Sequence, residues 1–251
     1  MERCREKNIM LNKEKVKLRS KEVQFMGHVI SQKGLKADPE KIKAVEEMPT
    51  PTDVAGGRRF IGFTNYLSKL LPRLSEVSEP LRKLMLHDVE WFWTDIHDMA
   101  VEQLKLLVTK APVLKYFDTT KGVTLQCDAS DKGLGAVLTQ DGHPIAYASR
   151  ALTHVETRYA QIEKELLAVV YGLEKFHTYT NVRDVAVESD HKPLEVIFKK
   201  ALHKAPKRLQ RMLMRTQVYD VTLGYRKGST MYLADTLSRA YLPHDERQQT
   251  S

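Results

Sequence analysis

Cysteine is scarce. The 251 residues hold two, Cys4 and Cys127, in no CxxC or zinc-type spacing. That excludes a disulfide-stapled scaffold and a site built on paired cysteines, and it leads to the expectation of a reducing, intracellular setting. Long apolar runs are missing too. No stretch approaches the roughly 20 residues that span a bilayer, and residues 1–21 are charged and lack the apolar segment of a signal peptide. No membrane partner is therefore expected. Internal repeats and low-complexity segments are absent, which excludes solenoid and fibrous classes. Nor is charge of either sign segregated. The formal charge is +8, and residues 1–110 hold 20 Lys/Arg against 16 Asp/Glu, as do the remaining residues, so each part carries +4. A basic excess spread in this way suits a polyanion such as nucleic acid.

What is present centres on residues 122–136, GVTLQCDASDKGLGA. Val123, Leu125 and Cys127 alternate with Thr124, Gln126 and Asp128, the period of a strand with one apolar face. The glycines of DKGLG allow a reversal into a second strand at 136–139, and Gln140-Asp141-Gly142 turns into a third at 144–148. A long helix over 157–177, a fourth strand over 184–190, a basic helix over 206–218, a fifth strand with Val221, Leu223 and Tyr225, and a last helix over 233–240 follow. Before this block, 21–35 reads as a β-hairpin turning at Gln32-Lys33-Gly34. Asp38-Pro39-Glu40 then opens a helix over 37–48, and Asp53 caps another in which Phe60, Phe63, Tyr66, Leu67 and Leu70 recur at helical spacing. Shorter helices are expected over 77–86 and 97–110, with a connector and domain boundary at 111–121.

Four carboxylates stand out by position. Asp128 closes the first strand of the block and Asp190 the fourth. If the long helix is a crossover, those strands run parallel and bring both acids to one sheet edge. On that helix Ile162, Leu166, Val169 and Leu173 form the apolar stripe, and Glu165 sits close enough to it to face the core. Asp235 stands at the start of the last helix. Taken singly, Asp128 reads as a turn cap and Asp235 as a helix N-terminal acid. Converging, the four would repel without a cation, and an all-oxygen set favours Mg²⁺ or Mn²⁺ over zinc. Two such ions about 4 Å apart can activate a water and stabilise the leaving oxygen of a phosphodiester.

CDASDKGLGAVL, YAQIEKELLAVVYGLEKF, VESDHKPL and YRKGSTMYLADTLSR, in this order over 122–242, resemble the RNase H domain of gypsy-type LTR retrotransposon Pol polyproteins. Upstream, EVQFMGHVISQKGLKADPEKIKAVEEMPTPTD and RRFIGFTNYLSKLLP resemble the primer-grip hairpin and thumb helices of the same reverse transcriptases. The resemblance implies an α/β fold, an RNase H-like mixed five-stranded sheet with helices on both faces, behind a hairpin (1–36) and a helical thumb (37–110), with a polar tail at 243–251. It implies Mg²⁺-dependent endonucleolytic cleavage of RNA in an RNA/DNA hybrid, with Asp128, Glu165, Asp190 and Asp235 as the acids holding two ions. A cytoplasmic particle or the nucleus is the expected compartment. Two departures stand out. No Tyr-x-Asp-Asp motif occurs, so DNA synthesis by this chain alone is not expected, and Gly57 stands where the usual pattern has Leu, so that Gly56-Gly57 should loosen that helix start by roughly 1 kcal/mol per glycine.

Tyr225 is an auxiliary candidate or a core-facing strand aromatic, and His191 an assistant to Asp190 or a structural residue. Arg208, Arg211 and Arg215 form a stripe at i, i+3, i+7, read as a solvated face or, beside a nuclease site, as phosphate contacts extended by Lys192. Ser130 and Gln126 are candidates to meet sugar hydroxyls, and Arg58 and Arg59 to track the duplex from the thumb. Two other readings stay open: a nucleic-acid-binding module without catalysis, and a structural subunit paired with a polymerase-bearing chain or with a second copy.

Overall fold

The computed structural model describes residues 2–10, 12, 20–199 and 202–231. The last expected helix with Asp235, and the tail at 243–251, lie outside the described residues.

A short helix α1 (Glu2–Glu6) precedes a three-stranded antiparallel meander of β1 (Glu22–Phe25), β2 (His28–Ser31) and β3 (Gly34–Ala37). The expected single hairpin thus has an extra reversal. Met26 and Gly27 both hold positive φ, 45° and 64°, the mirror-type turn that suits strand twist. Methionine has no turn preference, so composition does not reveal it. Helix α2 (Pro39–Glu46) starts as expected, with the Glu40 N–H donating to Asp38 at 3.0 Å. Helix α3 (Val54–Tyr66) starts on Asp53, which accepts from the Gly56 N–H at 2.6 Å. Gly57 turns out to be a packing residue: a Cβ there would lie 3.0 Å from Met85 Sδ and 3.3 Å from Trp91. Helices α4 (Leu74–Val77), α5 (Glu79–Leu84) and α6 (Asp95–Thr109) complete this part.

The second sheet has the order β6-β5-β4-β7-β8. Strands β4 (Val123–Ala129), β5 (Gly133–Gln140) and β6 (His143–Ala151) form the antiparallel meander, and β7 (Asp184–Ser189) and β8 (Asp220–Tyr225) add in parallel. Between β6 and β7 run α7 (Gln161–Lys175) and α8 (His177–Thr180), and between β7 and β8 run α9 (Pro193–Lys199) and α10 (Lys207–Thr216). Helix α7 starts four residues later than expected. Glu156 takes both Arg150 guanidinium nitrogens, at 2.7 and 2.8 Å, and the Thr153 N–H, and this holds 156–158 as a separate turn against β6.

One face of the sheet packs Val123, Leu125 and Cys127 against Leu166, Val169 and Leu173 of α7. On the other face Val137 and Tyr147 join Phe60, Leu67, Leu71, Leu74 and Leu104 in a single cluster with the N-terminal helices. The 37–110 helices therefore share a core with the sheet, and burying such side chains contributes roughly 1.5–3 kcal/mol each. Leu35 and Leu114 exchange both backbone hydrogen bonds, at 2.8 and 2.9 Å, which stitches the first meander to the connector.

Candidate metal centre

The parallel pairing of β4 with β7, Gln126 opposite Glu188, sets the two strand ends side by side. Asp128 leaves the end of β4 and Asp190 follows Ser189, the last residue of β7. Helix α7 is the crossover, and it delivers Glu165 with 3% exposure. One carboxylate oxygen from each of Asp128, Glu165 and Asp190 lies within 4.8 Å of the others. Three acids separated by 62 positions of chain thus meet at the carboxyl edge of the sheet, as the parallel reading expects. The fourth expected acid, Asp235, lies outside the described residues.

Glu165 is the electrostatic centre. Burial pushes its carboxyl from 4.5 up to about 7; the Gln161 amide lowers it, the Asp190 charge raises it further, and the Ala129 backbone and Arg73 lower it. Its Oε1 accepts from Gln161 Nε2 at 2.6 Å. Its Oε2 is buried and has no hydrogen-bond partner among the described residues. An orphan carboxylate oxygen is costly unless a cation meets it. The all-carboxylate donor set and this orphan atom fit a hard divalent ion.

Several side chains that sequence reasoning missed shape the cluster. Gln161 also donates to the Ala129 carbonyl at 3.0 Å, tying Glu165 to the end of β4. Its i, i+4 spacing to Glu165 was a usable signal. Lys164, buried beside Glu165, reaches Asp131 at 2.7 Å, pins the loop after Asp128 and holds the Asp131 carboxyl below its usual range. Arg73 Nη2 donates to Asp128 Oδ2, and nothing in the local sequence announces it. Gly228, in the turn after β8, leaves room for Asp190: a Cβ there would lie 2.7 Å from Asp190 Oδ2. Gly228→Ala is expected to displace that carboxylate and to weaken Mn²⁺ binding at the cluster roughly tenfold with the melting temperature nearly unchanged, as measured by calorimetric titration. Unaltered affinity would show that Asp190 tolerates the shift.

The other expected site residues take varied positions. Tyr225 pairs with Ser189 and is 46% exposed, so its ring is not buried. Its N–H donates to Glu195 at 2.6 Å. His191 is half-buried and its N–H donates to Ser189 Oγ, while Lys192 is exposed. Ser130 Oγ accepts from the Gly133 N–H at 3.1 Å and so holds the turn after β4. Gln126 is 4% exposed and donates to Glu188 at 2.7 Å, so it is not directed at a sugar; Arg226 holds the same Glu188. Within the arginine stripe, Arg208 pairs with Glu163 and stacks on Tyr159, and Arg215 takes both oxygens of Glu174. These two clamp α10 to α7, while Arg211 is exposed, as are Arg58 and Arg59 on α3.

Residues 93–187 match the family described as the RNase H-like domain found in reverse transcriptase. The chain is 34% identical over 245 residues to the retrovirus-related Pol polyprotein from transposon 297 of Drosophila melanogaster. Its sequence is similar to retroelement Pol polyproteins over nearly its whole length and carries a match to an RNase H-like domain. The match to the transposon 297 protein covers 97% of this chain and 23% of that protein. A Transposon Tf2-3 polyprotein of Schizosaccharomyces pombe is 31% identical over 95% of this chain and 18% of its own. The chain thus spans less than a quarter of the length of these relatives. In fold it is similar to a foamy viral protease-reverse transcriptase solved in complex with RNA/DNA hybrid, with a TM-score of 0.73, 23% identity, and coverage of 95% of this chain and 32% of that one. The same viral protein with dsDNA gives a TM-score of 0.69 over 83% of this chain and 45% of that one, at 23% identity. The RNase H-like sheet expected from the four motifs is the one observed. No helix among the described residues is long and apolar enough to cross a membrane.

Proposed function

We propose that the chain hydrolyses the RNA strand of RNA/DNA hybrids as a divalent-metal-dependent endonuclease, with the 37–110 helices gripping the duplex as a thumb. The observation that carries this reading is the convergence of Asp128, Glu165 and Asp190 with an unpartnered Glu165 oxygen among them. These three would hold Mg²⁺ or Mn²⁺, and Asp235 is proposed as the fourth ligand. Two ions, when bound, supply an activated water and charge stabilisation at the leaving oxygen. The chain's own residues do the rest. Gln161 and the sheet edge orient Glu165, Gly228 leaves space for Asp190, and the exposed cations Lys192, Arg211, Arg58 and Arg59 offer contacts to phosphate. Ser130, Arg208 and Arg215 remain proposed contacts at the margin, with Tyr225 and His191 as auxiliary groups beside Asp190. The setting we propose is a cytoplasmic particle or the nucleus, with a polymerase-bearing chain or a second copy as protein partner.

The test is a labelled RNA/DNA hybrid incubated with Mg²⁺. The wild-type chain should cut the RNA strand, and Asp128→Asn should cut it at least roughly a thousandfold more slowly, about 4 kcal/mol of barrier. Hybrid binding without cleavage by both proteins would instead support the non-catalytic module.

A further inference from the structure

Arg73 belongs to the N-terminal helical part, yet its guanidinium lies on an acid of the nuclease sheet. Nη2 donates to Asp128 Oδ2, and Nε lies 3.6 Å from Glu76 Oε2. The reach is built in. Arg73 holds a left-handed backbone, φ 48°, which a side-chain-bearing residue adopts only when its surroundings require it. Those surroundings are explicit. Leu71, Pro72 and Leu74 on either side are buried, and the Ser75 N–H donates to Ser149 Oγ of β6 at 3.0 Å. Arg73 passes beside Gly135, which lies opposite Asp128 in the β4–β5 register: a Cβ there would stand in ordinary contact, 3.8 Å from Arg73 Cγ. Both charged side chains are largely shielded, at 24% and 21% exposure, so the pair is not an ordinary surface contact.

A guanidinium and a divalent ion on one carboxylate compete for the same negative charge, and each lowers the affinity of the other. We propose that Arg73 is an internal counter-ion that competes with the divalent ion for Asp128. The inference rests on the reading of Asp128, Glu165 and Asp190 as a metal site. Loading that site then weakens the Arg73 contact, so metal affinity is set by a residue outside the ligand set and far from it in sequence.

The experiment is calorimetric titration of Mn²⁺ alone, with no nucleic acid, into the full chain and into Arg73→Gln, Arg73→Lys and Asp128→Asn. Arg73→Gln should bind Mn²⁺ about tenfold more tightly than wild type, about 1.4 kcal/mol. Arg73→Lys should fall between them, because an ammonium cannot fork between Asp128 and Glu76. Asp128→Asn should bind at least about tenfold more weakly. Equal or weaker binding by both Arg73 variants, with binding lost in Asp128→Asn, would overturn the competition and leave the metal site standing. Unchanged binding in Asp128→Asn would remove the metal site and the inference together. If Arg73→Gln does not fold, as judged by circular dichroism, the lysine variant decides the matter: binding no tighter than wild type overturns the proposal.

Discussion

Glu165→Gln is expected to abolish hybrid cleavage and, at the same time, to raise the melting temperature of the metal-free chain. The two effects have one cause. Folding puts Glu165 at 3% exposure and moves its carboxyl from 4.5 to about 7. Below pH 4.5 the group is protonated in folded and unfolded chains alike and contributes nothing to the difference between them. Between 4.5 and about 7 the folded chain holds the extra proton, so stability falls as pH rises. Above pH 7 the penalty is complete, on the order of 3 kcal/mol from the size of the shift. This is the reverse of the common salt-bridged carboxylate, which stabilises at neutral pH. Glutamine keeps the shape and the Gln161 contact but carries no charge, so at pH 8 without metal the variant should melt roughly 6–12 °C higher. Its melting temperature should also lose most of its slope across pH 5–7. Cleavage should fall by roughly a thousandfold, since a ligand has been neutralised. Mg²⁺ at pH 8 should stabilise wild type more than the variant. Melting measured with chelator at pH 5 and pH 8 checks the first part; an unchanged or lower value at pH 8 would show that burial does not control this carboxyl.

Gly172→Val should destabilise the protein, because α7 lies on the sheet at this residue with no space for a side chain. A Cβ at Gly172 would stand 3.0 Å from Cys127 Sγ, 3.2 Å from the Ala136 Cβ and 3.2 Å from Leu125 Cδ1. These atoms belong to β4 and β5, whose side chains here are fully buried and cannot move aside. One methyl would be felt but is partly offset by the better helix propensity of alanine, about 1 kcal/mol. Valine adds two further methyls and stiff χ1 geometry. Overpacking of this kind costs roughly 1–3 kcal/mol, a fall of roughly 2–12 °C for a chain of this size. The site should suffer beyond its stability. Lifting α7 off β4 separates Glu165 from Asp128, so hybrid cleavage at a temperature where the variant is still folded should drop as well. Urea unfolding followed by circular dichroism measures the first effect; a midpoint equal to that of wild type would mean that the helix–sheet contact is looser than these distances state.

The elements of this protein were largely legible before folding was considered, because each rests on local chemistry. Period-two alternation marked β4, β7 and β8. Asp38-Pro39 and Asp53 marked the starts of α2 and α3, since a cap is a contact between residues two or three apart. The apolar stripe of α7 also revealed that Glu165 turns inward, and strand-end position singled out Asp128 and Asp190. The turn at Met26-Gly27, the late start of α7 and the packing role of Gly57 were not legible. Each depends on a partner, respectively a strand register, Arg150 and Met85, that no short window contains.

The chemistry of the candidate centre was therefore written in residue types and order: three acids on a strand, a crossover helix and a parallel strand must converge if the helix returns the chain right-handed to the same sheet. What those acids experience was settled only by packing. Burial sets the Glu165 carboxyl near 7, an arginine from another part of the chain lands on Asp128, and two stripe arginines pair with Glu163 and Glu174. The reason is range. Periodicity and capping act over a few residues, whereas desolvation and ion pairing depend on which distant surfaces close over a charge, and only the folded chain specifies that.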